Sequence, residues 1–543
     1  MNTLARIQPA LSTRTATIAV LCIAIASRIV QLIFFYNIHF DPSYQVIATE
    51  NLLNGHGITI TKAVIDNLAV PVYEPLIMWP PGYTFLLAPL YALFGHNYIA
   101  AGITLDIIFA MVLIFSCRAI LRTISIDLWI INLFTLFSGF FIYFFYFLAS
   151  SDAIAISFFT VALSSALKIV KSQTASPKHI FLISLSLAFV ALLKYMYMPV
   201  AVVIPLFLII AGFANKQTAL KKTGFISLAI VLAAIAVTLI YQKTAGGQAA
   251  YISATGRGFY PQHLLETYPF IPASFFNPAS VSSLSFGGQW EPIFLIGFRI
   301  INWILFIALL VLAVRYFQKN RFNALTAKRS FFYIGVLLLI AIVGLLSFLS
   351  VRVEKEQIRP GVWWTYVEEP RYYGLITILL HIAFFALFQF YRRTKRQAVK
   401  YLLLFFTLLL LPEFFHGVIF SAKRLVNAGK EEYSWQWEDR FQQYADTIIQ
   451  QEKKTMQPAN VVVTGPVYYL NNRISIYSNT AALHDATVLH DLSTLKASAN
   501  TLLLVAIDKY NLPAFHDFTT NPSVILAGQF EQFYFYKVYV GPR

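Results

Sequence analysis

The sequence predicts an all-α polytopic membrane domain followed by a small extracytoplasmic α/β domain. Three observations lead there. Hydrophobic residues make up 58% of the 543 and charged residues only 12%, outside the range of ordinary soluble domains. Apolar runs near the ~20 residues needed to cross a bilayer recur as far as residue 421. Beyond residue 421, strand-like and helix-like segments alternate instead.

Eleven runs read as spans: residues 15–38, 99–121, 128–148, 153–170, 179–194, 197–213, 223–242, 292–314, 330–350, 372–391 and 401–421. The fifth and sixth form one apolar stretch broken by Lys194 and Pro199, too long for one helix, and so a tight hairpin. The first run contains Ala24-Ile25-Ala26 after Arg14, as a cleaved signal would. It resumes from Arg28 to Tyr36, which favours a retained span.

Charge sets the expected orientation. With the N-terminus inside, the inner segments hold 20 basic residues against the single acid Asp127, whereas the outer loops hold 8 basic and 11 acidic residues. This is a positive-inside pattern. The net charge of +16 is therefore topological and gives no reason to expect a nucleic acid. The tail after residue 421 balances 11 basic with 11 acidic residues, and an odd number of spans puts it outside. Cys22 and Cys117 both lie in spans, so no disulfide framework is expected. The outward regions lack Asn-X-Ser/Thr, which favours a bacterial inner membrane over the endoplasmic reticulum.

Three outward regions exceed plain turns. The 40–98 loop comes first. The second, about 243–291, is aromatic and rich in Pro and Gly, and reads as a lid over the substrate site. The third is the tail, 422–543, set apart here from a 1–421 transmembrane domain. Its 122 residues are enough for a core. Residues 434–453 have helical polarity, while 461–465, 474–478, 501–507 and 533–540 read as strands.

The chemistry-bearing residues cluster at the outer ends of spans. Asp41 followed by Pro42 reads as an N-cap with proline at the first helical position, leading a short helix over 44–53 on the outer membrane surface. Tyr44, Ile47, Ala48 and Leu52 share one face, and Gly55 or Gly57 closes the helix. Asp41 also reads as a general base at the lipid–water boundary. Asp152, after Ser150-Ser151, is a second outward acid, either a cap or a partner in acid/base or divalent-metal chemistry. Glu74 is a third acid in the first loop, ahead of the Trp79-Pro80-Pro81-Gly82-Tyr83 turn. Lys194, flanked by Tyr195 and Tyr197, is a snorkelling lysine or a cation for a lipid phosphate. Arg371-Tyr372 opens the tenth span, with an arginine able to fork onto a phosphate. Arg28, Asp106, Arg299 and Glu413 lie within spans, where pairing is the default. The histidines are scattered, and no metal-ligand cluster stands out.

An acid after the first span, then Tyr44, Ile47-Ala48, Asn51-Leu52-Leu53 and Gly55-His56-Gly57, then Pro80-Pro81-Gly82-Tyr83, Pro89-Leu90-Tyr91 and Leu93-Phe94-Gly95, resembles the polytopic glycosyltransferases of the C superfamily. The protein-mannosyltransferase and aminoarabinose-transferase group looks closest. The resemblance implies a polyprenyl-phosphate sugar donor, with Asp41 as base, Asp152 as second acid, and Lys194 and Arg371 near the donor phosphate. It implies inverting displacement onto a hydroxyl-bearing acceptor. Protein mannosyltransferases carry an Asp-Glu pair in this loop; here Asp41 is followed by Pro42, which favours a lipid or glycan acceptor over a protein. Two other classes compete. A lipid-substrate transporter or flippase usually shows internal hydropathy repeats, which are not evident. A polysaccharide ligase or polymerase would share the lipid-linked donor. The long, acid-bearing first loop favours the transferase.

Overall fold

A computed structural model of the protein describes residues 8–35, 40–140, 151–246, 259–261, isolated positions from 300 to 318, 325–352, 356–359, 362–364, 374–391, 397–426 and 435–542. The chain forms two units. One comprises Met1–Ile33, Asp106–Lys243 and Gln248–Val426; the other comprises Phe34–Leu105, Thr244–Gly247 and Asn427–Arg543.

The first unit is helical. Among the described residues seven helices are long and apolar enough to cross a membrane. Their runs are Arg14–Ile33, Tyr98–Thr123, Ser151–Ser172, Tyr195–Ala214, Thr218–Gly246, Ala327–Leu349 and Gly374–Tyr391. Leu128–Phe140 and Pro177–Leu193 are shorter apolar helices at the expected third and fifth spans. Gln397–Val426 covers the eleventh, and the expected span at 292–314 lies largely outside the described residues. Helix is the form in which an apolar segment satisfies its backbone without water. Where these helices touch, small hydroxyls and glycine do the joining. Ser116 meets Thr160 at 2.6 Å and Ser157 donates to the Phe109 carbonyl at 3.0 Å. A Cβ on Gly139 would stand 2.6 Å from the Ala24 Cα, so only glycine permits that approach. Arg28 is buried in its span and donates to the Ser138 carbonyl; Asp106 is buried as well. The side chains of Arg299 and Glu413 are outside the described residues.

The second unit is built on a seven-stranded sheet. Its order is Asn67–Pro75, Thr59–Val64, Ala481–Ala482, Asn460–Thr464, Thr501–Asp508, Phe533–Val540 and Ile525–Phe530. The central strands run parallel, Val462 opposite Leu503, and the last three form an antiparallel edge, Leu503 opposite Val538. Thr501–Asp508 is buried along its whole length. Its alternate residues enter two cores: Leu503, Val505 and Ile507 face one, Leu502, Leu504 and Ala506 the other. A strand covered on both faces has this continuously apolar sequence. The helix Trp435–Thr455 covers the second core with Trp437, Phe441, Ala445 and Ile449, one turn apart each.

The structure revises several expectations. The loop hairpin Thr59–Val64/Asn67–Pro75 pairs with the tail through Lys62 opposite Ala482. The first loop and the tail therefore fall in one compact unit. Residues 474–478, read as a strand, belong to the helix Tyr468–Ser478. Their β-branched alternation is overridden by helical spacing: Leu470 and Ile474 both enter the core, and Asn479 ends the helix at φ 47°. The helix after the first span starts at Phe40, so Asp41 sits in its first turn and is not its N-cap. Residues 42–49 of that helix are all buried, packed on the loop hairpin, the tail helix Tyr468–Ser478 and the helix Gly82–Leu93. Trp79 to Tyr83 is not only a turn, because Pro81 caps a further twelve-residue helix, Gly82–Leu93.

Candidate functional site

In the membrane unit the structure joins two residues singled out by sequence. Asp152 stands in the first turn of Ser151–Ser172. Lys194 caps the C-terminus of Pro177–Leu193 in an extended conformation, φ −159° and ψ 141°, which ends that helix before the short turn Tyr195–Tyr197. The Lys194 Nζ lies 2.8 Å from the Asp152 Oδ2. Asp152 is 0% exposed and Lys194 7%. The lysine therefore does not snorkel. It turns inward, where two charges removed from water persist only by pairing.

In the second unit a polar and aromatic cluster surrounds the start of the helix Phe40–Leu53. Tyr44 is stacked between Trp79, at 5.5 Å, and His484, at 5.2 Å. Asn472 ties the cluster together: its amide nitrogen donates to the Ser43 Oγ at 2.8 Å, and its carbonyl oxygen lies 2.9 Å from the His484 Nε2. With the amide nitrogen so used, the carbonyl accepts, and His484 carries its proton on Nε2. Burial, and then the nearby Lys62 ammonium, push the His484 imidazole down to about 4. The ring is therefore neutral at neutral pH. The Asp41 side chain is outside the described residues; its backbone is two residues before Ser43.

Glu74 is taken up by a diagonal cross-strand pair with Lys62 at 2.6 Å. Pro80, Pro81, Gly82 and Tyr83 are buried, Tyr83 to 1%, and serve as the pivot into the following helix. Glu50 bonds His96 at 2.8 Å and supports the far end of the loop. Deeper in the unit, Arg473 and Glu438 form a fully buried ion pair, and burial pushes the Glu438 carboxyl up. Arg371, Tyr372 and most of the 243–291 loop lie outside the described residues. Among the described residues no group of three or more His, Cys, Asp or Glu side chains is placed to hold a metal ion. His484, Asn472 and Ser43 were missed by sequence reasoning. The polar run Asn471-Asn472-Arg473 inside an otherwise apolar segment was the available signal.

No family model matches the chain, and no curated protein matches it. Solved structures do. Across 97% of this chain and 99% of the other, it is similar to ArnT from Cupriavidus metallidurans bound to undecaprenyl phosphate, at 12% identity and a TM-score of 0.52. The apo state of the same protein aligns over the same shares at 11% identity and 0.52. The Archaeoglobus fulgidus oligosaccharyltransferase in complex with Zn and sulfate aligns over 92% of this chain and 69% of that one, at 11% identity and 0.49. The chain thus shares its overall fold with ArnT from end to end.

Proposed function

We propose that the chain is a membrane glycosyltransferase that moves a sugar from a polyprenyl-phosphate donor to a hydroxyl-bearing lipid or glycan acceptor. The observation that carries this reading is the fold shared along 97% of the chain with ArnT, a protein solved with undecaprenyl phosphate. The membrane in question is a bacterial inner membrane, with the N-terminus cytoplasmic and the transfer on the extracytoplasmic face, as the charge asymmetry of the loops supports.

The buried pair gives the donor phosphate its cation. Lys194 is already out of water, so its attraction for a phosphate oxygen is little diluted by solvent. Asp152 is then a positioning residue, holding the ammonium in a fixed place between turnovers. Arg371 supplies the second cation, with Tyr372 beside it. Asp41 acts as base: it takes the proton of the acceptor hydroxyl as that oxygen attacks the anomeric carbon. The bond from that carbon to the phosphate oxygen breaks, and the polyprenyl phosphate leaves with the electron pair. It is a stable anion stabilised by the two cations, so no acid catalyst is needed. Attack opposite to departure inverts the anomeric centre.

Purified protein in lipid bilayers, given a panel of radiolabelled polyprenyl-phosphate sugars and an acceptor lipid extract, tests this. Sugar should pass to the extract with stoichiometric release of polyprenyl phosphate. Movement of intact donor across the bilayer without release would make the protein a transporter.

A further inference from the structure

Three membrane helices bring their ends to one basic cleft, far from the pair just described. The cleft holds about 520 Å³ and is lined by Arg122, Thr123, Lys168, Lys171, Ser172 and His179. Arg122 and Thr123 close Tyr98–Thr123, Lys168 to Ser172 close Ser151–Ser172, and His179 opens Pro177–Leu193. Asp152 begins the helix that Lys171 ends, so the cleft is roughly 28 Å along the axis from the buried pair.

The charge there is unbalanced. The lining includes three permanent cations and no carboxylate. Among the described residues, none of Arg122, Lys168 and Lys171 enters an ion pair. The His179 Nδ1 is buried with no hydrogen-bond partner. Lysines that merely mark the inner side of a membrane can spread apart and hydrate. These three, though exposed, are brought by helix packing around one open hollow, with the His179 ring at its edge.

We propose that this cleft binds the phosphate headgroup of an anionic membrane lipid. Its chemistry calls for a phosphate: several oxygens for several donors and a negative charge among cations. Its place calls for a lipid. It lies at the ends of spanning helices, on the side that the charge pattern puts in the cytoplasm, where anionic headgroups lie. The site is separate from the proposed donor site and stands whether or not the chain is a transferase.

The experiment is native mass spectrometry and lipid titration of the full chain in phosphatidylcholine nanodiscs, with phosphatidylglycerol added. The wild type should retain phosphatidylglycerol. The double variant Lys168→Gln/Lys171→Gln should bind it roughly 30-fold more weakly, at about fivefold per lysine near an anionic surface, with unchanged thermal stability in phosphatidylcholine alone. The control Lys221→Gln/Lys222→Gln removes two basic residues at another helix end. An equal loss in the control would mean diffuse surface charge and overturn the site. Full displacement of the lipid by inorganic pyrophosphate at micromolar concentration would overturn the lipid as its source. Loss confined to the Lys168/Lys171 variant and insensitive to pyrophosphate would establish it.

Discussion

The two candidate clusters handle buried polarity in opposite ways, although the second unit also holds the buried pair Arg473–Glu438. In the membrane unit, two full charges are buried as a contact pair, Lys194 on Asp152, 42 positions apart. In the other unit the buried centre beside the start of Phe40–Leu53 is neutral: a hydroxyl, an amide and an uncharged imidazole, with Ser43 and Asn472 429 positions apart. A neutral network costs little to desolvate and fixes geometry through direction. A buried pair costs much to desolvate and keeps a charge available. The first arrangement suits a framework, the second a site that must meet an anion.

The sharpest way to break this contrast is to neutralise Asp41, the acid nearest the neutral network in sequence. Asp41→Asn keeps a first-turn residue of similar size and should leave thermal stability nearly unchanged. If Asp41 is the base, the transfer rate should fall by ~10²–10⁴-fold. A fully active variant would place the base elsewhere. Next comes the pair itself. Lys194→Ala strands a buried carboxylate and should cost about 3–5 kcal/mol of stability, read as a lower melting temperature in detergent. Asp152→Asn/Lys194→Met should recover most of that while failing to bind donor. Recovery of both stability and donor binding would reduce the pair to structure.

The neutral network can be stressed with acid. The His484 imidazole titrates near 4 in the folded chain and near 6.5 when unfolded. Between these values the unfolded chain binds the extra proton, so this contribution is intact above about pH 6.5 and lost as pH falls towards 4. The loss is on the order of 3 kcal/mol. Melting temperature against pH should fall less steeply over that window in His484→Gln than in the wild type; parallel curves would show that the ring is not the sensor. The smallest effect belongs to Lys62 and Glu74, a half-exposed pair. Lys62→Met should change stability by about 0–1 kcal/mol, and a larger loss would mean that the hairpin's seam with the tail depends on charge.

What sequence conveyed follows the same division. A lone lysine in an apolar run is conspicuous because charge is rare there, and an acid opening the fourth span is equally visible. Both residues of the pair were therefore legible, though their contact was not. Spans were legible because hydrocarbon permits few alternatives to helix. In the other unit polarity is common, so His484 and Asn472 do not stand out in the sequence. Residues 474–478 show local propensity failing: their alternation favours a strand, while the packing of Leu470 and Ile474 favours a helix. Pairing of Lys62 with Ala482 has no local signal, since a two-residue strand leaves almost no pattern.

That pairing also has a consequence in time. The hairpin leaves the ribosome some 420 residues before its partner strand. At about 5–20 residues per second the delay is roughly 20–80 s. Throughout that interval Thr59–Val64 carries an unsatisfied edge, the kind that recruits stray strands. A nascent chain stalled anywhere between the hairpin and residue 481 should therefore still present this edge to proteases and chaperones. The two-residue strand Ala481–Ala482, made so much later, decides whether the first loop is ever finished.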